Sequence, residues 1–390
     1  MNTGLYIHIP FCQSKCEYCS FVSMPLDQGL AERYQRALVA EISAFCGSSS
    51  EKLAVDSIYI GGGTPSLLPA EYIAEILETC HELFSVMSVA EVSIEANPGT
   101  LDVDKLRAYR RLGVNRVSLG AQSFSNAELA AIGRIHDASE IASACALVRA
   151  CGIQNLNLDL ILGLPEQTER QWSANLESAV RLEPAHISIY MLELDEKSPL
   201  HRSLAAGRSH VPDEEHVADW YLNTIDFLED RGCPQYEISN FARSGCECRH
   251  NLKYWQREPV LGFGLAAHSH DGGSRYANLA SLGDYLDAVE RGRSPVQWRE
   301  ALSPIRELEE TIFLGLRLNR GLDWEAVRRR HNSKWIDRCE SSFEEMAGMG
   351  LVDWQESVVR LTRRGMLLSN EIFQRFVLLG ESDGEPSATL

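Results

Sequence analysis

The first half of the chain alternates between short apolar runs of strand length and longer stretches in which apolar positions recur at helical spacing. Runs at 5–9, 57–60, 91–95, 116–119, 157–161 and 186–190 read as strands, and stretches at 31–45, 71–84, 102–112 and 140–150 read as helices. Gly113 and Gly152 follow two of those stretches where a glycine cap is expected. Strands that alternate with helices predict a parallel sheet with right-handed crossovers. Six such units without a break predict an α/β fold, a partial (β/α)6 barrel over 1–205. The pattern is less regular over 206–302, an α+β extension with an expected edge strand at 236–242. From Ser303-Pro304, with Glu307, Glu309 and Glu310 in the opening turns, a new helix is expected. Further helices, a strand pair at 352–361 and a helix from 370 make 303–379 a small helical, winged-helix-like C-terminal domain. The tail, 380–390, is polar and expected to be disordered.

Composition narrows the classes. A chain of 390 residues, 44% hydrophobic and 24% charged, is long enough for two or three packed units of an ordinary globular protein. Its formal net charge of −18 argues against a general nucleic-acid binder, because phosphate contacts need an excess of Lys and Arg. Arg363 and Arg364 beside the expected strand pair do not offset that balance. No apolar run approaches the length of a transmembrane span, and the first ten residues lack the pattern of a secretory signal. Eleven cysteines, an odd number, fit reduced thiols in a cytoplasmic protein better than a disulfide framework.

The cysteines that carry chemistry come first. Cys12-Gln-Ser-Lys-Cys16-Glu-Tyr-Cys19 directly follows the first strand. Spacers of three and two residues let a loop wrap around an iron–sulfur cubane and leave its fourth iron open, as substrate chemistry requires. The plainer reading is three buried or zinc-bound thiols, but zinc would usually bring a fourth Cys or His close by, and none follows Cys19. In a barrel, ligand groups gather at the carboxyl ends of strands. Gly61-Gly-Gly-Thr-Pro65 ends the second strand, Glu95 closes the third, Gln122 follows the fourth and Asp159 lies on the fifth, with Arg134 in between. Singly, each would more often be a turn glycine, a cap or a solvated charge. Their shared end of the sheet gives the set its weight.

The cysteine motif resembles that of the radical S-adenosylmethionine superfamily. The resemblance implies a [4Fe–4S] cluster on Cys12, Cys16 and Cys19, with S-adenosylmethionine on the fourth iron and cleaved by an electron from the cluster to a 5′-deoxyadenosyl radical. Tyr18 then packs on adenine. The contexts Tyr6-Ile-His-Ile-Pro10, Glu95-Ala-Asn-Pro98, Gly120-Ala-Gln122-Ser-Phe124, Gly133-Arg134 and Asp159-Leu-Ile-Leu-Gly163-Leu-Pro165 are similar to the coproporphyrinogen-oxidase-like branch. By that likeness Tyr6, Gly62, Gly63, Thr64, Glu95, Gln122, Arg134 and Asp159 contact the nucleotide. The likeness extends to Arg360–Gly365 and Ser369–Phe373.

Two kinds of protein share this layout, an oxygen-independent coproporphyrinogen III oxidase and a heme chaperone. The oxidase carries another Cys two positions after the third ligand, where this chain has Phe21, and a longer segment ahead of the cluster than the eleven residues before Cys12. His250-Asn-Leu-Lys-Tyr254-Trp255 resembles an HNxxYW motif of the chaperones. His is a common axial ligand of heme iron, and Tyr or Trp can pack on a porphyrin face. The same residues read equally well as a backbone cap and ordinary core. The expected function is therefore heme binding and delivery to an acceptor protein, without coproporphyrinogen oxidase activity. The decarboxylating oxidase is the alternative. Association into a homodimer and peripheral contact with a membrane stay open. Cys246-Glu-Cys248, Cys233-Pro234, His268 and His270 are weaker candidates for metal or heme, and Cys46, Cys80, Cys145 and Cys151 fall on helical patterns as core.

Overall fold

A computed structural model describes residues 2–47, 51–331 and 334–377. The 380–390 segment lies outside the described residues. Six parallel strands follow one another in chain order: β1 (Thr3–Ile9), β2 (Ala54–Gly62), β3 (Ser85–Ala96), β4 (Arg116–Gln122), β5 (Asn155–Leu162) and β6 (His186–Met191). Each expected strand is present, most of them longer by a residue or more at one or both ends. Helices Gln28–Cys46, Ala70–Leu83, Val103–Arg111, Ala138–Ala150 and Glu169–Arg181 connect them. Asp27, Asp102, Asp137 and Thr168 cap four of these through their side chains. Gly113 and Gly152 take the positive φ values, 97° and 83°, that end a helix tightly.

Along most of their length the strands alternate. Leu5, Ile7 and Ile9, Ile58 and Ile60, Val117 and Leu119, and Leu156, Leu158 and Leu160 belong to one buried apolar core. The intervening positions are polar or aromatic: Tyr6 and His8, Ser57 and Tyr59, Glu91 and Glu95, Arg116 and Ser118, Asn157 and Asp159, His186 and Ser188. Burying one Leu or Ile contributes roughly 1.5–3 kcal/mol, so the apolar set fixes which face meets the helices. By the pleat, its partners face the concave side. The polar half of the alternation thus fills the inside of the curved sheet with hydrogen-bonding groups.

The 206–302 segment adds strands to both edges of this same sheet. At one edge β7 (Gln235–Glu237) and β8 (Asn240–Ala242) form a hairpin that pairs antiparallel with β6, where the sequence suggested one edge strand. At the other, β9 (Val260–Phe263) pairs parallel with β1, and β10 (His268–His270), β11 (Ser274–Asn278) and β12 (Val296–Ala301) continue antiparallel. The order is β12-β11-β10-β9-β1-β2-β3-β4-β5-β6-β8-β7, so the parallel run has seven strands and the sheet is open.

Ser303 caps the Pro304–Gly315 helix, and the C-terminal unit packs Trp324, Phe343 and Phe376 beside a three-stranded sheet of Leu322–Asp323, Val358–Leu361 and Val352–Gln355. Arg257 clamps that unit to the sheet through Glu307 at 3.3 Å and Glu310 at 3.0 Å. No helix among the described residues is long and apolar enough to cross a membrane.

Glu41 secures the extension from below the sheet. It is fully buried in the first long helix and accepts hydrogen bonds from Gly264 N (2.9 Å), Tyr285 Oη (2.6 Å) and Asn278 Nδ2 (2.6 Å). Burial pushes its carboxyl up to about 7, against the lowering effect of those donors. The folded state therefore holds a proton that the unfolded chain releases near the ordinary carboxylate value, and stability falls as pH rises through that window. Urea unfolding of the apoprotein at pH 5 and 7.5 should show this fall, and Glu41→Gln should reduce it. Equal slopes in the two proteins would contradict the assignment.

Candidate functional site

The loop that carries Cys12, Cys16 and Cys19 is an excursion between two short strands. Phe11–Cys12 pairs parallel with Met24–Pro25, and Leu26 N donates to Cys12 O at 2.9 Å, so both ends of the loop are pinned. Within it Cys19 N donates to Cys16 O at 3.2 Å, and Glu17 N reaches Ile132 O at 3.2 Å, tying the loop to the segment after β4. Cys12, Cys16 and Cys19 are free, half-buried thiols. Burial raises the Cys12 and Cys19 thiols above their usual value, and each feels the charge of its neighbours. The Thr64 hydroxyl, 3.8 Å from Cys12 Sγ, and the Arg134 guanidinium, 3.5 Å from Cys16 Sγ, work in the opposite direction. Among the described residues no three His, Cys, Asp or Glu side chains converge as ligands of a single ion do. Thiolates on three separate irons of a cubane stand farther apart. A soft, all-sulfur donor set beside a cation fits such a cluster.

The glycine run after β2 packs directly on this loop. Gly63 N donates to Ile9 O and Thr64 N to Phe11 O, both at 2.8 Å. A Cβ on Gly63 would lie 2.6 Å from Phe11 O and 3.0 Å from Cys12 Sγ, so any side chain there would displace the loop. Gly62, at φ 116°, donates its N–H to Glu95 Oε2 at 2.9 Å, and Tyr59 Oη donates to Glu95 Oε1 at 2.9 Å. Burial first, then the nearby Asp159 charge, push the Glu95 carboxyl up to about 7. Asp159 is also raised, mainly by burial, while it accepts from Ser118 at 3.0 Å and Asn157 at 2.7 Å.

Arg134 spans the strand ends. Its Nη2 donates to Gly120 O at 2.7 Å and to Asn97 Oδ1 at 2.6 Å, and Asn97 in turn donates to Thr64 Oγ1 at 2.9 Å. Gln122 adopts φ 65° at a register shift in β4, a strained conformation for a side-chain-bearing residue. Its amide lies over Gly120 with Asn97 and Arg134. Tyr18 packs against Ile132, Ile161 and Leu164. Tyr6 reaches His8 Nδ1 at 3.0 Å, and His8 Nε2 reaches Val22 O, beyond the third cysteine, at 3.0 Å. The thiols and the strand-end set therefore share one end of the sheet. Asn97, His8 and Tyr59 are further members that the sequence reading did not single out. Their signal was present: Asn97 stands in the Glu95-Ala-Asn-Pro98 stretch, and His8 and Tyr59 occupy the polar phase of their strands.

His250, Tyr254 and Trp255 stand elsewhere. They lie on the Arg249–Trp255 helix, which abuts Ser57 in the first half of β2 and Glu91 just past the middle of β3. His250 is buried, with Nδ1 3.0 Å from Ser57 Oγ and Nε2 3.1 Å from Tyr254 Oη. Burial and Lys253 push its imidazole down to about 3. Both nitrogens are thus engaged, Nδ1 by Ser57 and Nε2 by Tyr254. Trp255 lies under Arg317, whose guanidinium carbon is 4.3 Å from the indole centroid. Cys248 is buried with its Sγ 3.5 Å from Glu91, while the Cys246 carbonyl accepts from Arg116. Cys233, Cys80 and Cys145 are buried, and Cys46 and Cys151 partly so. His268 contacts Trp298 edge-on, and His270 is buried.

Residues 6–179 match the radical SAM superfamily, and residues 302–368 match the HemN C-terminal domain. A heme chaperone HemW of Bacillus subtilis is 34% identical over 96% of this chain and 99% of its own length. A mitochondrial radical S-adenosyl methionine domain-containing protein 1 of Bos taurus is 33% identical over 82% of this chain and 74% of that one. The chain belongs to the HemW heme-chaperone family. The HemN coproporphyrinogen III oxidase of Escherichia coli, a radical SAM enzyme, shares the fold with a TM-score of 0.85 and 26% identity, over 96% of this chain and 90% of that one. HemW-like sequence on a HemN-like frame thus describes nearly the whole chain.

Ligand assignment is directly testable. Replacing Cys12, Cys16 or Cys19 with Ser should remove most iron and the broad cluster absorption after anaerobic reconstitution, whereas Cys80→Ala or Cys145→Ala should leave iron content nearly unchanged. Equal iron in all five variants would refute the assignment.

Proposed function

We propose that this protein binds a [4Fe–4S] cluster on Cys12, Cys16 and Cys19, binds S-adenosylmethionine beside it, and carries heme to an acceptor protein. The observation that carries the reading is the convergence of the thiol loop, the glycine run, Glu95 and Arg134 at one end of the sheet. When bound, the cluster supplies an open iron for the nucleotide's amino acid group and a source of one electron. The chain's own residues do the positioning. The Gly62–Thr64 backbone lies beside the cysteine loop, Glu95 offers a carboxyl group already held by two donors, and Tyr18 would offer an aromatic face for adenine. Gln122 and Asp159 extend the polar lining along β4 and β5, and Tyr6 backs it from β1.

A porphyrin needs apolar surface, and the carboxyl-terminal side carries it. Phe21 and Val22 follow the third cysteine, Ile135 follows Arg134, and Tyr190 and Met191 end β6, all of them exposed. Phe21 keeps 64% of its surface accessible, unusual for a residue so close to a buried site. Heme seated there would cover these side chains and could leave by the same route toward an acceptor. The HemN likeness favours one competing reading, decarboxylation of coproporphyrinogen at this mouth. Against it, the chain has Phe21 where the oxidase pattern has a further Cys, and the Bacillus subtilis relative that matches nearly its whole length is named a heme chaperone.

Absorption titration of the reconstituted protein should saturate near one heme per chain. Phe21→Ser with Met191→Ser should weaken binding about tenfold, since two exposed apolar contacts are lost. Coproporphyrinogen III should remain unconverted under reducing, anoxic conditions with S-adenosylmethionine. Turnover of that substrate would overturn the chaperone reading.

A further inference from the structure

The HNxxYW helix is fastened tightly to the sheet. Glu91 accepts from Arg249 N at 3.1 Å and His250 N at 3.0 Å, holding the first turn. Lys253, buried, pairs with Asp56 and Glu258, both at 2.8 Å. Gly4 on β1 makes the space: a Cβ there would come within 2.9 Å of Ser57 Oγ, 3.0 Å of Lys253 Cδ and 3.2 Å of His250 Cε1. The His250 ring, held at both nitrogens, lies nearly parallel to the Tyr59 ring, with centroids 5.3 Å apart and planes at 28°. Tyr59 stacks in turn on Tyr6, at 6.3 Å and 22°. The Tyr59 hydroxyl is the group that holds Glu95 Oε1.

We propose that His250 is a positioning residue for S-adenosylmethionine: it fixes the plane of Tyr59 from below, and Tyr59 fixes the Glu95 carboxylate above. This rests on the reading of Glu95 as a nucleotide contact. The motif then serves the nucleotide site from farther back along the same strands. Three independent restraints converge on the ring: Ser57 on one nitrogen, Tyr254 on the other, and the aromatic stack. A ring needed only as filler could be any apolar side chain of that size. One held in a single orientation passes that orientation on to whatever stacks against it.

The test is S-adenosylmethionine affinity of the cluster-loaded protein, by equilibrium dialysis, alongside iron content and heme stoichiometry. His250→Ala should weaken the nucleotide about tenfold while iron and heme per chain stay unchanged. His250→Gln, whose amide can still link Ser57 and Tyr254, should recover most of the affinity, a rescue that loss of packing would not show. Tyr59→Phe, which removes only the hydroxyl, should weaken binding to a similar degree, and it keeps the test open should His250→Ala fail to fold. Wild-type affinity in Tyr59→Phe or in His250→Ala, with affinity lost in Glu95→Gln, overturns the proposal and spares the nucleotide site. Heme loss from His250→Ala with nucleotide affinity intact overturns it in favour of iron ligation. Unchanged affinity in Glu95→Gln removes the nucleotide reading and the proposal with it.

Discussion

The carboxyl end of β1 runs on past Ile9 hydrogen-bonded to the glycine run after β2, and this seam fixes the cysteine loop against the strand ends. Gly63 N and Thr64 N bond Ile9 O and Phe11 O, with no room at Gly63 for a Cβ. The first cysteine and the Glu95 carboxylate are thereby set in register, because the same glycine run bonds one neighbour on each side. Charge is handled at the same place. To hold the proposed cluster the three thiols would have to ionise, which is costly in a half-buried loop, and Arg134 lies against Cys16 while locked to Gly120 and Asn97. Cation and backbone seam together make a site whose parts come from five segments distant in sequence.

Much of this was legible beforehand, for physical reasons. Strand and helix periods differ, so six units separate cleanly, Gly113 and Gly152 mark the ends of two of their helices, and Ser303-Pro304 marks the start of the C-terminal domain. Cysteine spacing is local, so the triad needed no tertiary knowledge. The second register of information was harder to use. The same strands that bury Leu156 and Leu158 turn Asn157 and Asp159 inward, and that polar phase names Tyr59 and His8 as site residues. Asn97 became visible only when Thr64 and Arg134 were seen on either side of it.

The extension was the least legible part. Short strands such as Gln235–Glu237 and His268–His270 carry too few positions to show a period, and their partners lie far away in the chain. Nothing local says that Val260–Phe263 will pair with β1 while Asn240–Ala242 pairs with β6. The HNxxYW residues illustrate the risk of reading chemistry from residue type alone. A His, a Tyr and a Trp suit a porphyrin, and the same His250 holds Ser57 of the sheet and Tyr254 of its own helix through its two nitrogens. Phe21, Ile135 and Met191, the exposed apolar residues of the heme proposal, are far from this helix in sequence.

The central claim is that cluster and nucleotide meet at this one end of the sheet. Electron paramagnetic resonance of the reduced, reconstituted protein, recorded before and after S-adenosylmethionine is added, tests it most directly. The account expects about four irons per chain and a signal that changes on addition, because the nucleotide binds the iron that no cysteine holds. A full cluster whose signal ignores the nucleotide would contradict it.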